Sequence, residues 1–282
     1  MTVEFDCRAC GLGDTLVSLW IAEGVRKAGH EIVYLPGIHD RLVEAFGGTL
    51  GDRDGSPRVE FGGKSPSYKK ELQDANAVPH RAYLWQLDLP FSVEPARPTA
   101  GSWEECDEWA RELKQSRTGG TKPFVVLFPA CAYNTRTWPV QKWTRLGWAL
   151  EENGVGTVGF NGTIDSIGEL PFYAFGYGIE ALISIIRLAD LVIANDSGPA
   201  HLAGTLGVKT LAVMGPTNPD TVFGYCPDVV PVRVDETVLP CVGCHFQPDR
   251  GFRSACDQGC EALHLLSVQH VLDLILEHTG VR

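Results

Sequence analysis

The sequence predicts an α/β protein made of two successive halves, each with a parallel sheet covered by helices on both faces. Three observations carry that expectation. The first thirty-five residues read strand, glycine turn, helix, strand. Strands and helices alternate regularly after residue 120, and 282 residues supply about two domains at ~150 residues each.

Residues 2–6 form a short extended run, and Gly11-Leu12-Gly13-Asp14 is a glycine turn. Leu16, Leu19, Trp20, Gly24 and Lys27 then follow at helical spacing as far as Gly29. Glu31-Ile32-Val33-Tyr34-Leu35 is a strand closed by Pro36-Gly37, which completes one βαβ unit. Residues 47–66 are rich in Gly, Asp, Ser and Pro and read as loops around one short strand at 59–61. Ser102-Trp103-Glu104-Glu105 reads as a capping box opening a helix that ends near Ser116. The best linker is 117–122, with its Gly119-Gly120 pair.

Beyond it come a strand at 123–128, a helix opened by Pro139 and running to about Glu152, and a strand at 155–160. A helix at 180–188, a strand at 191–194, a short helix at 198–206 and a strand at 210–214 follow. Ser267, Val268, Val271, Leu272, Ile275 and Leu276 give a closing amphipathic helix. Open parallel sheets bind ligands beyond the carboxyl ends of their strands, so two such halves place a ligand between them and the motifs on strand-to-helix turns.

Composition narrows the function. With 24 Lys and Arg against 35 Asp and Glu the net charge is −11, and no basic run concentrates the cations, so a nucleic-acid partner is not expected. A 44% hydrophobic and 21% charged make-up is that of a globular chain, and no apolar stretch approaches the ~20 residues that span a bilayer. The N-terminal residues lack a charged-then-apolar leader, and the expected location is cytoplasmic.

Three constellations carry chemistry. Gly11, Gly13 and Asp14 put a carboxylate where a strand ends and a helix begins; Asp14 is either a helix cap or a working group facing a ligand. Asn195-Asp196-Ser197-Gly198-Pro199-Ala200-His201 follows a strand directly. Its helix N-terminus offers free N–H groups to a diphosphate, although Asp196 and Ser197 are also ordinary N-capping types. Asn134-Thr135-Arg136-Thr137-Trp138-Pro139 sets a guanidinium in another strand-to-helix loop, where it can hold phosphate; taken alone, an arginine such as Arg136 is more often a surface residue.

Taken together these blocks resemble glycosyltransferase family 9, the heptosyltransferase-like enzymes. The resemblance is carried by Gly11-Leu12-Gly13-Asp14, by Arg136-Thr137-Trp138-Pro139, and by Asp196-Ser197-Gly198-Pro199-Ala200-His201-Leu202-Ala203 with its continuation Gly207-Val208-Lys209-Thr210-Leu211-Ala212-Val213-Met214-Gly215-Pro216-Thr217-Asn218-Pro219. It covers residues 120 to the C-terminus and the first thirty-five or so.

The resemblance implies a GT-B architecture of two facing Rossmann-like domains: an acceptor domain at 1–118, a nucleotide-sugar domain at 119–266 and a C-terminal helix at 267–282. It implies an inverting transfer of a heptose-like sugar from a nucleoside-diphosphate donor, ADP-linked by preference, to a hydroxyl, with no cofactor for catalysis. Asp14 would be the general base, with Gly11 and Gly13 in the acceptor or phosphate loop. Asp196, Ser197, Gly198 and His201 would bind the donor, and Arg136, where many members have Lys, would neutralise the leaving diphosphate. The acceptor would be a lipopolysaccharide core, another glycan or a protein, reached in the cytoplasm or at the inner face of the membrane. A modified base or small-molecule acceptor, and a non-catalytic scaffold with a vestigial donor site, are the competing readings.

Nine cysteines without an export signal are unusual. Cys241-Val242-Gly243-Cys244 is followed after eleven residues by Cys256-Asp257-Gln258-Gly259-Cys260, a spacing that suits one tetrahedral structural Zn or Fe; His245 can replace a ligand. The alternatives are reduced thiols packed as small hydrophobes or a disulfide. Some protein-glycosylating relatives bind iron in this region, which the resemblance adds in favour of a metal. Cys7 and Cys10 spell a redox-type motif, but the first strand points Cys7 towards a core and packing is expected.

Overall fold

The computed structural model describes residues 1–52, 55–62, 65–67, 80–160, 173–174, 178–244 and 259–281. The chain divides into two units. The first takes Met1–Gly101 and Pro219–Pro227; the second takes Ser102–Asn218, Asp228–His245 and the C-terminal residues.

In the first unit β1 (Thr2–Asp6) lies between β2 (Glu31–Tyr34) and β3 (Arg58–Glu60), all parallel. Helix α1 (Leu12–Lys27) follows β1 and is apolar almost all round, with 10 of its 16 residues buried, because it packs on the sheet and is covered in turn by the chain. Helix α2 (Asp40–Ala45) and helix α3 (Arg81–Trp85), which runs into a 3-10 turn at Gln86–Asp88, follow in the same unit. The segment 89–101 has no regular structure and is held by backbone bonds: Ala96 N–H donates to Trp20 O (2.9 Å) and Gly101 N–H to Ala45 O (2.8 Å).

That cover leaves no room at Gly24, where a Cβ would stand 2.2 Å from the carbonyl oxygen of Glu94. Gly24→Ala should therefore destabilise the protein by about 2 kcal/mol or more, despite alanine's better helix propensity, and lower the urea midpoint accordingly.

The second unit comprises α4 (Glu104–Thr118), β4 (Phe124–Phe128), α5 (Val140–Glu152), β5 (Gly156–Phe160), β6 (Tyr173–Ala174), α6 (Ile179–Leu188), β7 (Leu191–Asn195), α7 (Gly198–Thr205) and β8 (Thr210–Val213). After β8 the chain crosses to the first unit for α8 (Pro219–Phe223), then returns for β9 (Val229–Val232), α9 (Glu261–Leu265) and α10 (Val268–Thr279). In the first unit Tyr225, just after α8, meets Trp20 of α1 edge-on with ring centroids 5.2 Å apart, and it lies 5.9 Å from the His80 ring.

The second sheet is parallel throughout, in the order β6-β5-β4-β7-β8-β9. Strands β4, β5, β7 and β8 are wholly buried, which is why Phe124–Phe128 and Leu191–Asn195 read as near-continuous apolar runs. Strand order runs outward in both directions from β4 and reverses between β4 and β7, so the crevice at their carboxyl ends is a topological switch point. Val125 pairs with Leu191 and Phe128 with Ala194, so the two strands end level. Among the described residues no helix is long and apolar enough to cross a membrane.

Two expectations are corrected here. Ser102 caps nothing: α4 begins at Glu104 with Trp103 in the N-cap position, and Ser102 sits one residue too far out for its hydroxyl to reach the first turn. Glu104, Glu105 and Asp107 supply negative charge at that end instead. The helix also runs past Ser116 to Thr118, where Gly119 in the left-handed conformation (φ 59°) closes it.

The expected linker at 117–122 is accordingly anchored in the second unit, since Arg117 Nε donates to Thr157 O (2.9 Å) and its guanidinium pairs with Glu151. Lys114 Nζ donates to Leu188 O (2.8 Å), so α4 packs with the second unit. The division falls at 101/102, ahead of the helix, whereas the glycine pair suggests 118/119.

Candidate functional site

Two loops leave the switch point side by side, 129–139 after β4 and the turn after β7. Asn195, the last residue of β7 and fully buried, holds the first loop at both ends. Its Oδ1 accepts from Trp138 N–H (3.0 Å) and its Nδ2 donates to Pro129 O (2.6 Å). Trp138 is itself buried in the core with Trp143 and donates Nε1–H to Leu266 O (3.2 Å). Between these anchors a 3-10 turn, Asn134–Arg136, presents the Arg136 guanidinium, which lies 4.5 Å over the Tyr133 ring. Pro139 is the N-cap of α5, not its first helical residue.

Asp196, only 1% exposed, faces that guanidinium: Oδ2 lies 3.5 Å from Arg136 Nη1 and accepts from the Thr217 hydroxyl at 2.5 Å. Oδ1 of Asp196 and Nε of Arg136 are both buried with no hydrogen-bond partner among the described residues. Neither Asp196 nor Ser197 caps α7 with its side chain. Ser197 occupies the N-cap position, but its hydroxyl donates back to Asn195 O (3.1 Å). The ordinary capping explanation of these two residues therefore fails; Ala200 and His201 N–H donate to Ser197 O (3.0 and 3.4 Å) and Pro199 has no N–H, so the Gly198 N–H at the start of α7 is the group turned towards a ligand. His201 lies in that turn, 4% exposed. Cys131 closes the floor, its thiol donating to Asp196 O (3.5 Å), and burial pushes that thiol above its usual range, so it is a neutral wall.

In the first unit, Gly11 is the N-cap of α1 and Gly13 its second residue, so Asp14 is not the cap. It stands at the third helical position and reaches back, Oδ2 accepting weakly from Gly11 N–H (3.4 Å), while Oδ1 lies 3.4 Å from Arg81 Nη1 of α3. Its side chain is 26% exposed and that of Arg81 12%, so the carboxylate is accessible and has a cationic neighbour.

Cys10 and Gly62 border the same point, since a Cβ on Gly62 would lie 3.2 Å from Cys10 Sγ and 3.7 Å from Asp14 Oδ2. The expected packing role of Cys7 holds: its thiol donates to Ser18 Oγ (3.3 Å), which in turn contacts the Tyr34 hydroxyl (3.2 Å). Contact with Cys7 and burial push the Cys10 thiol far up, away from the thiolate that redox chemistry needs.

The cysteine element is described in part. Cys241 and Cys244 form a turn closed by Cys244 N–H to Cys241 O (3.2 Å), and Gly243 N–H donates to Gly215 O (3.3 Å). Cys260, 5% exposed, is the N-cap of α9, and a Cβ on Gly215 would lie 2.9 Å from its sulfur. Both pieces therefore converge on Gly215. Cys256 and His245 lie outside the described residues, and among the described residues no three His, Cys, Asp or Glu side chains are close enough to hold a metal ion.

Comparison with known proteins bears on the same segment. Residues 177–248, which include Asn195, Asp196, His201 and Thr217, match the model of glycosyltransferase family 9 (heptosyltransferase). The chain is 26% identical over 152 residues to lipopolysaccharide heptosyltransferase 1 of Pseudomonas aeruginosa, a match covering 48% of this chain and 41% of that protein. Over these segments it resembles the heptosyltransferases of family 9.

Solved structures agree on the fold. The family 9 glycosyl transferase of Veillonella parvula superposes with a TM-score of 0.70 at 16% identity, over 99% of this chain and 97% of that one. The iron-containing dodecameric glycosyltransferase TibC of enterotoxigenic E. coli gives 0.72 at 13%, over 98% and 78%. E. coli heptosyltransferase WaaC, solved with ADP, gives 0.61 at 14%, over 99% and 100%. The chain thus has the two-sheet GT-B fold that the sequence resemblance implies.

Sequence reasoning selected Asp14, Arg136, Asp196, Ser197, Gly198 and His201, but not Asn195, Thr217, Cys131 or Arg81. Thr217 lies inside the block that carries the resemblance and Asn195 directly before it; what they do there depends on which loops the sheet order brings together, and no spacing rule encodes that.

Proposed function

We propose that this chain is an inverting glycosyltransferase of family 9 that moves a heptose-like sugar from an ADP-linked donor to a hydroxyl acceptor. The observation that carries the reading is the Arg136–Asp196 pair beside the uncapped start of α7, at the switch point where nucleotides bind parallel sheets. The names of the related proteins support it: WaaC was solved with ADP, TibC in complex with ADP-D-beta-D-heptose, and the Pseudomonas relative is a lipopolysaccharide heptosyltransferase.

In this reading Asp14 takes the proton from the attacking hydroxyl as the new glycosidic bond forms. The bond to the diphosphate breaks on the opposite face of the sugar, and Arg136 with the N–H groups of Ser197 and Gly198 takes up the charge of the departing ADP. His201 borders the same turn and contributes to the donor site. The residues named carry the whole reaction without a catalytic cofactor. The acceptor is a lipopolysaccharide core sugar, with another glycan or a protein as the alternative, and the work is done in the cytoplasm or at the inner face of the membrane. Because a ligand that binds only the folded state raises its melting temperature, millimolar ADP should shift Tm by several degrees while UDP and GDP do not. A flat response to all three would sink the donor-site reading.

The cysteines of 241–260 hold, in the same proposal, one structural Zn or Fe, a thiolate site that ties the 241–244 turn to the start of α9. The convergence of both pieces on Gly215 and the iron in TibC favour it. Elemental analysis should find about one Zn or Fe per chain, lost in Cys241→Ser; metal-free protein that is fully folded would refute it.

A further inference from the structure

We infer that Asp196 holds Arg136 as a stand-in for the diphosphate, so that the chain's own carboxylate competes with bound nucleoside diphosphate and weakens its hold on that product. The inference rests on the reading of Arg136 and α7 as the diphosphate site.

The pair is built to be exchanged. An ion pair kept for its own sake when buried is bidentate and fully hydrogen-bonded, because half-satisfied charges out of water are costly. Here the contact is single and long, Nη1 to Oδ2 at 3.5 Å, and that oxygen is already taken by the Thr217 hydroxyl at 2.5 Å. Oδ1 and Nε, the atoms that would complete a bidentate contact, stay buried and unpartnered among the described residues. Both partners are also held from elsewhere: Thr217 fixes Asp196, while Tyr133 under the guanidinium and the Asn195 clamp fix the loop of Arg136. Breaking the pair therefore leaves Asp196 and the loop of Arg136 in place while the guanidinium swings free.

A diphosphate arriving at the first turn of α7 offers Arg136 more negative charge and a better geometry than one shared carboxylate oxygen, and it draws the guanidinium away. Asp196 is then left as a buried negative charge beside the diphosphate. Giving up that pairing, and not repulsion alone, costs product affinity and hastens release, the step that limits many enzymes.

The test is the affinity of the full chain for ADP alone, by titration calorimetry. Asp196→Asn should bind ADP about tenfold more tightly than the unaltered chain, the size expected when the Arg136 ion pair no longer has to be given up for ADP to bind. Asp196→Ser removes the same charge, keeps a partner for Thr217 and should shift affinity the same way; circular dichroism checks that each is folded. In an Arg136→Gln background the gain from Asp196→Asn should shrink severalfold, because the competition has lost its object. Affinity unchanged or weakened in both Asp196 variants overturns the inference while leaving the donor site standing. An equal gain with and without Arg136 overturns it too, since Asp196 would then act by direct repulsion alone. If the unaltered chain binds none of ADP, UDP and GDP, the donor-site reading itself has failed.

Discussion

Replacing Asp14 with asparagine should lower turnover ~10²- to 10⁴-fold, the range that a positioned general base contributes, while leaving ADP affinity within about twofold. The two readouts separate because Asp14 belongs to the first unit, whereas the residues proposed for the diphosphate, Arg136, Ser197 and Gly198, belong to the second. The substitution is close to isosteric, and the introduced amide oxygen can still accept from Gly11 N–H, so the start of α1 is preserved. What changes is the charge facing Arg81, 3.4 Å away, and the capacity to take a proton. Turnover that survives Asp14→Asn would remove Asp14 from the chemistry.

Asn195→Ala should cost about 2–6 kcal/mol of stability, since it strands two buried backbone groups, Pro129 C=O and Trp138 N–H, at ~1–3 kcal/mol each. The expected signature is a large fall in the urea midpoint together with weaker ADP binding, because the loop that carries Arg136 loses both its anchors. Asn153 is the control. Its amide also donates to a carbonyl, Ala149 O at 2.7 Å, but at an exposed helix end where water can replace it, so Asn153→Ala should change stability by less than about 0.5 kcal/mol. If Asn195→Ala proved as mild as Asn153→Ala, the clamp would not be what holds the loop.

The second unit was the more legible half. Its central strands are buried on both faces and its longer helices are amphipathic, so both leave clear apolar patterns, and 191–194, 198–206 and 210–214 match the observed β7, α7 and β8 to within a residue. The first unit is written more faintly. Its cover, 89–101, is held to α1 and α2 by backbone bonds such as Ala96 N–H to Trp20 O, which leave no side-chain period. The cap of α4 misled for a related reason: Ser-x-x-Glu is a pattern of residue types, and the extended backbone of Trp103 moved the helix start out of its register.

At the site, charges and glycines stood out and the supports did not. Asp14 and Arg136 announce themselves by chemistry. Asn195 and Thr217 act only because the order β4-β7-β8 sets three distant loops side by side.

The excursion of the chain after β8 bears on how the protein can be taken apart. A fragment cut after Gly101 would lack Tyr225 and the rest of Pro219–Pro227, leaving the edge of Trp20 bare, and a fragment starting at Ser102 would carry that segment without its seat. Separate expression of the two halves should give poorly soluble products. A circularly permuted or insertion-tolerant version would have to open the chain elsewhere, in exposed loops that belong wholly to one unit.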